Sequence, residues 1–256
     1  MRPIFFSIFG IPIYSYGFML AIAFALCLFL VSRRVKVMSM KAQDIMDLGM
    51  YIIIFSIIGA RLFYILTDYK YFTRHPLEIF VINKGGLVFF GGLAGAVISA
   101  WVVVKKRKLS AVKVADLFMI YLPLGQAVGR IGCYLNGCCY GVPTDSMLGV
   151  KFPIDSFVSC HYGASQLVHP AQLYSSAADL FIYMILRVRA QYQKYDGQIV
   201  LYYMLLYGGA RFLLEYYRAD NEVIYCGLNM PQLISFGIIL FALVFGALCK
   251  NWNSMK

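Results

Sequence analysis

Gly129-Arg130-Ile131-Gly132-Cys133-Tyr134-Leu135-Asn136-Gly137-Cys138-Cys139-Tyr140-Gly141 closes an apolar run and opens the longest polar segment of the chain. The run begins near Val114, so Arg130 lies inside a stretch long enough to cross a bilayer. A guanidinium at that depth needs an anionic partner, and ionisable residues inside a membrane are functional candidates by default. The glycines at 129, 132, 137 and 141 let a backbone or a ligand come close. The segment reads as part of a phosphate-binding site in a polytopic membrane protein.

Working outward, apolar runs recur on both sides. They lie at about 14–32, 45–67, 87–104, 114–135, 170–186, 199–217 and 231–249. The chain has 256 residues, 61% hydrophobic and 14% charged; soluble domains hold about 45–50% apolar and about 25% charged residues. Seven spans of about 20 residues use roughly 140 residues. The remainder suffices for short loops and one extracytoplasmic insertion at about 136–168. The expected architecture is all-α: a single transmembrane domain over 1–256 with about seven helices. The sequence shows no internal repeat and no low-complexity tract.

Arg33, Arg34 and Lys36 follow the first run at once. A secretory signal carries its charge before the apolar core and a small-residue cleavage site after it. The first run therefore reads as a retained helix with its N-terminus outside. Seven crossings then put Arg33, Arg34, Lys36, Lys41, Lys105, Lys106, Arg107, Lys108, Lys113, Arg187, Arg189, Lys194, Lys250 and Lys256 inside, fourteen of the 23 basic residues. That satisfies the positive-inside rule and places the C-terminus inside. The net charge of +11 is thus largely topological, and no nucleic-acid partner is expected.

Arg2, Lys70, Arg74, Lys84, Lys151 and Arg218 fall in outside loops, which leaves Arg61, Arg130 and Arg211, in the second, fourth and sixth runs, each toward the outer end. Three guanidinium groups at one depth suggest a shared anion; separate snorkelling to the interface is the bland alternative. Tyr207, Arg211 and Glu215 are spaced four apart and stack on one helical face, with Arg218 close to the same face. Glu215 is placed to orient Arg211, although a purely structural ion pair has the same spacing. Tyr14 and Tyr16 sit at the outer end of the first run, where tyrosine often anchors an interface. Gly91 and Gly95 fit close helix packing. His169-Pro170 opens the fifth helix, where the imidazole can bind an anion, shuttle a proton or cap the turn.

Among the seven cysteines, Cys27 and Cys249 read as packing residues. Disulfides from Cys160 to Cys133, Cys138 or Cys139, or one using Cys226, suit an external compartment. Cys133, Cys138, Cys139 and His161 match no zinc spacing, so neither a metal nor a cofactor is expected.

These segments together resemble the bacterial prolipoprotein diacylglyceryl transferase family. The 129–141 stretch is similar to the family's signature. Gly85–Gly95, His169-Pro-Ala-Gln-Leu-Tyr174, Gly209-Ala-Arg211-Phe-Leu-Leu-Glu215-Tyr-Tyr-Arg218 and Leu228-Asn-Met-Pro-Gln232 agree in order and spacing. The resemblance covers nearly the whole chain and implies a multi-pass protein of the bacterial inner membrane. It implies transfer of a diacylglyceryl group from phosphatidylglycerol to the lipobox cysteine of a prelipoprotein, among membrane lipids, with glycerol phosphate leaving. On that reading Arg130 and Arg211 hold the phosphate, Glu215 positions Arg211, and Tyr16 and Tyr207 lie near the reacting headgroup. Asn136, Gly141, His169, Arg61 and Arg218 complete the expected substrate-binding set.

The chain departs from the family pattern at several positions. Phe90 stands where the family commonly has a histidine proposed as the base, Cys133 replaces an asparagine, and Cys138 and Ser175 replace glutamates. A thiol with a pKa of about 8.5 is partly ionised without help. The sequence thus suggests catalysis by electrostatic stabilisation of thiolate and phosphate. The alternatives are a divergent paralogue with another acceptor and a non-catalytic phospholipid-binding protein.

Overall fold

A computed structural model of the chain describes residues 4–8, 11–35, 40–80, 86–153, 156–163, 166–219, 223–225 and 227–254. Each expected apolar run folds as a helix. In chain order the helices are α1 (Ser15–Val35), α2 (Ala42–Thr67), α3 (Tyr69–Arg74), α4 (Phe89–Lys106), α5 (Ala111–Asn136), α6 (Phe157–Tyr162), α7 (Ala171–Arg189), α8 (Gln198–Leu214) and α9 (Met230–Ser254). Among the described residues, five helical stretches are long and apolar enough to cross a membrane: α1, α2, α4, α5 and Met230–Ala247 of α9. The expectation of seven is met in part. α8 has only 17 residues, and the 19 of α7 include Gln172, Ser175, Ser176, Asp179, Arg187 and Arg189.

Two small hairpins qualify the all-α expectation. β1 (Ile4–Ile8) pairs antiparallel with β2 (Ile11–Tyr14) ahead of α1, and β3 (Val223–Tyr225) pairs with β4 (Leu228–Asn229) ahead of α9. Their isoleucine, valine, phenylalanine and tyrosine content favours extended backbone. Large apolar side chains stand exposed along the helices, among them Phe63, Leu66, Val97, Trp101 and Phe241. That surface suits hydrocarbon rather than water.

The chain divides into two compact units, residues 1–31 with 115–256, and residues 32–114. In the 32–114 unit, α2 and α4 pack backbone to backbone. A β-carbon on Gly59 would strike the Gly91 carbonyl, and one on Gly95 would strike the carbonyl of Phe55. Small residues on both helices make this approach possible, as the glycine spacing suggests. Arg107 closes the other end with a fork, Nη1 on Asp44 and Nη2 on Asp47, both at 2.8 Å.

In the larger unit, Asp116 of α5 fixes the start of α8. Its buried carboxylate accepts from the backbone N–H groups of Gly197 (2.6 Å), Ile199 (3.0 Å) and Val200 (3.0 Å) and from Gln193 Nε2 (2.7 Å). A helix start leaves its first N–H groups without intrahelical partners, and an anion also suits the local dipole. Asp116→Ala is expected to cost roughly 2–3 kcal/mol of stability, because it removes a cap and several charge-assisted bonds. Thermal unfolding in detergent reads this as a lowered Tm.

α7 is pinned to α5 by Ser176 Oγ donating to the Ala127 carbonyl (2.9 Å), and Gly208 of α8 lets Ile239 of α9 come close. The start of α9 is a reciprocal cap. The Gln232 N–H donates to Asn229 Oδ1, and Gln232 Oε1 accepts from the Asn229 N–H, both at 3.1 Å. Between α5 and α7, Phe152, Val158 and Val168 form a small apolar core with Tyr134, Tyr140, Val150 and Tyr162 packed on it.

Candidate functional site

Arg130 of α5 and Arg211 of α8 line one cleft, together with Ser175 and Asp179 of α7 and Tyr207, Ala210 and Leu214 of α8. Its empty space, open mouth included, is about 220 Å³. The convergence inferred from the sequence for Arg130, Arg211 and Tyr207 is therefore a feature of the larger unit. Tyr207 stacks on Tyr203 with ring centroids 5.3 Å apart, and the Tyr203 hydroxyl donates to Gln126 Oε1 at 3.2 Å. This aromatic ladder holds the α8 face against α5.

Glu215 is fully buried and sits one turn beyond Arg211, in the 3-10 turn Glu215–Tyr217. Arg211 Nη1 lies 2.8 Å from Glu215 Oε2, off the line of a hydrogen bond. The carboxylate thus balances the Arg211 charge. Glu215 Oε1 accepts from Asn229 Nδ2 at 3.0 Å, and Arg218 Nε lies 3.8 Å from Oε2. The cap of α9 therefore orients Glu215, which in turn orients Arg211. A buried carboxylate needs such partners, since desolvation of an unpaired charge is costly.

Asp179, buried in the cleft, escaped the sequence reading. It follows Ser175 by four residues, so the two share a helical face. Ser175 and Asp179 thus line the cleft from successive turns of α7.

Other expected site residues have different surroundings. Tyr16 is half-exposed on α1, beside Gly132 of α5, whose missing side chain admits Tyr16 and Met19. Its electrostatic neighbours include Arg130, Cys133, Cys138 and Cys139. Asn136 ends α5, and its side chain reaches Cys138. Gly141 has a packing reason to be glycine. Its N–H donates to the His169 carbonyl (2.9 Å), and a β-carbon would come within 2.5 Å of the carbonyl oxygens of His169 and Tyr217. His169 Nδ1 is 3.1 Å from the Tyr174 hydroxyl, with its ring edge-on to Tyr217. Phe90 is well exposed at the start of α4.

Arg61 departs from the expected shared anion. Within its own unit it donates from Nε to the Ile79 carbonyl (3.0 Å), from Nη1 to Gly86 (3.1 Å) and from Nη2 to Glu78 (2.6 Å). The rings of Tyr64 and Phe72 lie 5.4 Å from its guanidinium carbon. Arg61 thus organises loop carbonyls, and we assign it no ligand. Gly85 lies outside the described residues.

The cysteines also differ from expectation. Cys160 is a free, exposed thiol rather than half of a disulfide, and Cys226 lies outside the described residues. Cys133, Cys138 and Cys139 converge, with all three sulfurs within 4.8 Å of one another. The helix end explains the first two. Gly137, at φ +78°, is the left-handed residue that closes α5. Its N–H bonds the Tyr134 carbonyl at 3.2 Å, and the Cys138 N–H bonds the Cys133 carbonyl, also at 3.2 Å. This is a Schellman end, which folds the second residue past the cap against the third residue before it. Those residues are Cys138 and Cys133. Gly137, a helix stop that folds Cys138 back on Cys133, is the sequence signal for this contact. The neighbouring Cys133 and Cys138 side chains and the adjacent Arg218 guanidinium hold the Cys139 pKa below the usual thiol range.

The model of the family described as prolipoprotein diacylglyceryl transferase matches residues 3–248. A phosphatidylglycerol–prolipoprotein diacylglyceryl transferase of Finegoldia magna is 35% identical over 246 residues, 95% of this chain and 94% of that protein. The Clostridium tetani protein of the same name is 33% identical over 256 residues, covering 100% of this chain and 99% of its own length. A Clostridium perfringens protein named as the second such transferase is 32% identical over 256 residues, 100% and 97% of the two chains. A signature arginine and a second arginine from another helix line one cleft, and the match runs almost end to end: the chain belongs to the prolipoprotein diacylglyceryl transferase family.

Proposed function

We propose that this chain transfers the diacylglyceryl group of phosphatidylglycerol to the lipobox cysteine thiol of prelipoproteins, in the bacterial inner membrane. The observation that carries this reading is the cleft in which Arg130 and Arg211 face a common space. The names of the full-length relatives supply the substrate pair. All seven long helices cross the membrane in this reading, with the N-terminus outside and the C-terminus inside. α7 and α8 are the more polar or shorter crossings because they wall the cleft.

The chemistry follows from charge. The phosphodiester of phosphatidylglycerol is a monoanion, and Arg130 and Arg211 bind it through planar, charge-assisted forks. The cysteine sulfur attacks the carbon of the diacylglyceryl group that is bonded to the phosphate oxygen. A carbon–sulfur bond forms while the carbon–oxygen bond to phosphate breaks, and glycerol phosphate leaves with an added negative charge. The arginine pair stabilises that developing charge. Asp179, the buried carboxylate of the same cleft, accepts the thiol proton, a role that Phe90 cannot serve.

Purified chain in phosphatidylglycerol vesicles, given a lipobox peptide, is expected to release glycerol phosphate and form the thioether. Release without the thioether would instead favour a paralogue that uses another acceptor, and no thiol-dependent release at all would favour a lipid-binding relative. Phe90→His is expected to leave turnover within a few-fold of the parent. A parent that is inactive until histidine is introduced would contradict proton transfer to Asp179.

A further inference from the structure

The three converging cysteines take no part in the mechanism above, and apolar packing does not account for them. Cys139 sits at φ +60°, a left-handed backbone conformation unfavourable for a residue with a side chain. Gly137 is in the same conformation two residues earlier. Packing alone gives no reason to hold a cysteine this way, whereas directing a third sulfur toward two others does. The helix end brings Cys138 to Cys133, and the left-handed residue turns Cys139 onto both. Gln172 of α7, fully buried, clamps the turn by donating to the Cys138 carbonyl at 2.8 Å. Cys133 is buried and the other two are partly buried, so the cluster is sheltered without being sealed.

Sulfur spacing distinguishes the uses of such a cluster. A tetrahedral ion with metal–sulfur bonds of about 2.3 Å holds its sulfurs about 3.8 Å apart. Sulfurs all within 4.8 Å of one another need only a small contraction to reach that. A disulfide needs one pair at about 2.05 Å and leaves the third sulfur without a purpose. Thiolate sets select soft or borderline cations over hard ones. Three sulfurs also leave a tetrahedral ion one ligand short, the arrangement of open sites rather than closed structural ones. The cluster adjoins the anion cleft. Arg130 lies one turn before Cys133 on α5, and Arg218, next to Cys139, lies 3.8 Å from the carboxylate that orients Arg211.

We propose that Cys133, Cys138 and Cys139 form a three-thiolate site for one thiophilic cation, zinc(II) or copper(I), whose fourth position is open to an exogenous thiol. The open position rests on the transferase reading, because the acceptor in that reaction is a thiol; the metal site itself does not. Binding replaces the thiol protons with the ion and releases them to water.

Chain purified under reducing conditions and exposed to zinc(II) is expected to retain about one ion after gel filtration, a stoichiometry typical of such sites. Cys133→Ser, Cys138→Ser and Cys139→Ser should each lose it, while Cys160→Ser retains it. A copper(I) arm, with a chromophoric copper chelator as competitor, shows which ion is held more tightly. Cobalt(II) as a probe should give sulfur-to-metal charge-transfer bands that strengthen when a cysteine-containing peptide is added. Failure to retain either ion, or a disulfide among the three cysteines found by mass spectrometry of protein purified without reductant, overturns the site. Bands unchanged by peptide overturn the open fourth position. Transfer from phosphatidylglycerol is assayed on the same preparation. Transfer without metal leaves the enzyme reading standing and removes the site, and metal without transfer does the reverse.

Discussion

Arg130→Ala is expected to lower kcat/KM for diacylglyceryl transfer by about 10²–10³-fold, the usual cost of removing one donor aimed at developing charge. Arg130 is half-buried and lines the cleft without closing a helix end, so α5 and the cysteine turn should keep their form. The loss should therefore appear as chemistry and not as unfolding. Phosphate is a monoanion in the lipid and gains charge as glycerol phosphate departs. The guanidinium thus binds the transition state more tightly than the ground state, and kcat falls along with kcat/KM. A radiolabelled phosphatidylglycerol assay on protein with the parent Tm reads the effect. Unchanged turnover in that variant would contradict the assignment of Arg130.

Arg211→Lys should cost about 10- to 100-fold in kcat/KM even though it keeps the charge. One charge-assisted hydrogen bond is worth about 1.5–3 kcal/mol, and each 1.36 kcal/mol is about tenfold in rate. Arg211 has to serve two anions. It pairs with Glu215 at 2.8 Å and must also point donors into the cleft. A planar fork can do both at fixed angles, whereas an ammonium is drawn to one partner. Glu215 is buried and held by Asn229, so the lysine would settle on that carboxylate. Parent-like kinetics for Arg211→Lys would mean that charge alone matters at this position.

The helices and half of the cleft were legible in the sequence for identifiable reasons. Each long apolar run had to become a helix, because hydrocarbon leaves backbone groups no other partner. The four-residue spacing of Tyr207, Arg211 and Glu215 put them on one face. Arg61 misled because sequence gives depth but not direction. Its donors are taken by the carbonyls of Glu78, Ile79 and Gly86, which no periodicity reveals. Asp179 was hidden because the sequence of α7 alone does not show that this face turns toward Arg130 and Arg211. The cysteine cluster depends on two left-handed residues after α5, and backbone conformation at Cys139 cannot be read from composition. Gly141 was read as a ligand-binding glycine, yet its crowding by the His169 and Tyr217 carbonyls already requires the absence of a side chain.

The account stands on two guanidinium groups from different helices gripping one lipid phosphate. A structure of the chain in nanodiscs containing phosphatidylglycerol tests this directly. The phosphate oxygens are expected at about 2.7–2.9 Å from nitrogens of both Arg130 and Arg211. A headgroup held elsewhere, with either arginine turned away from it, would contradict the account.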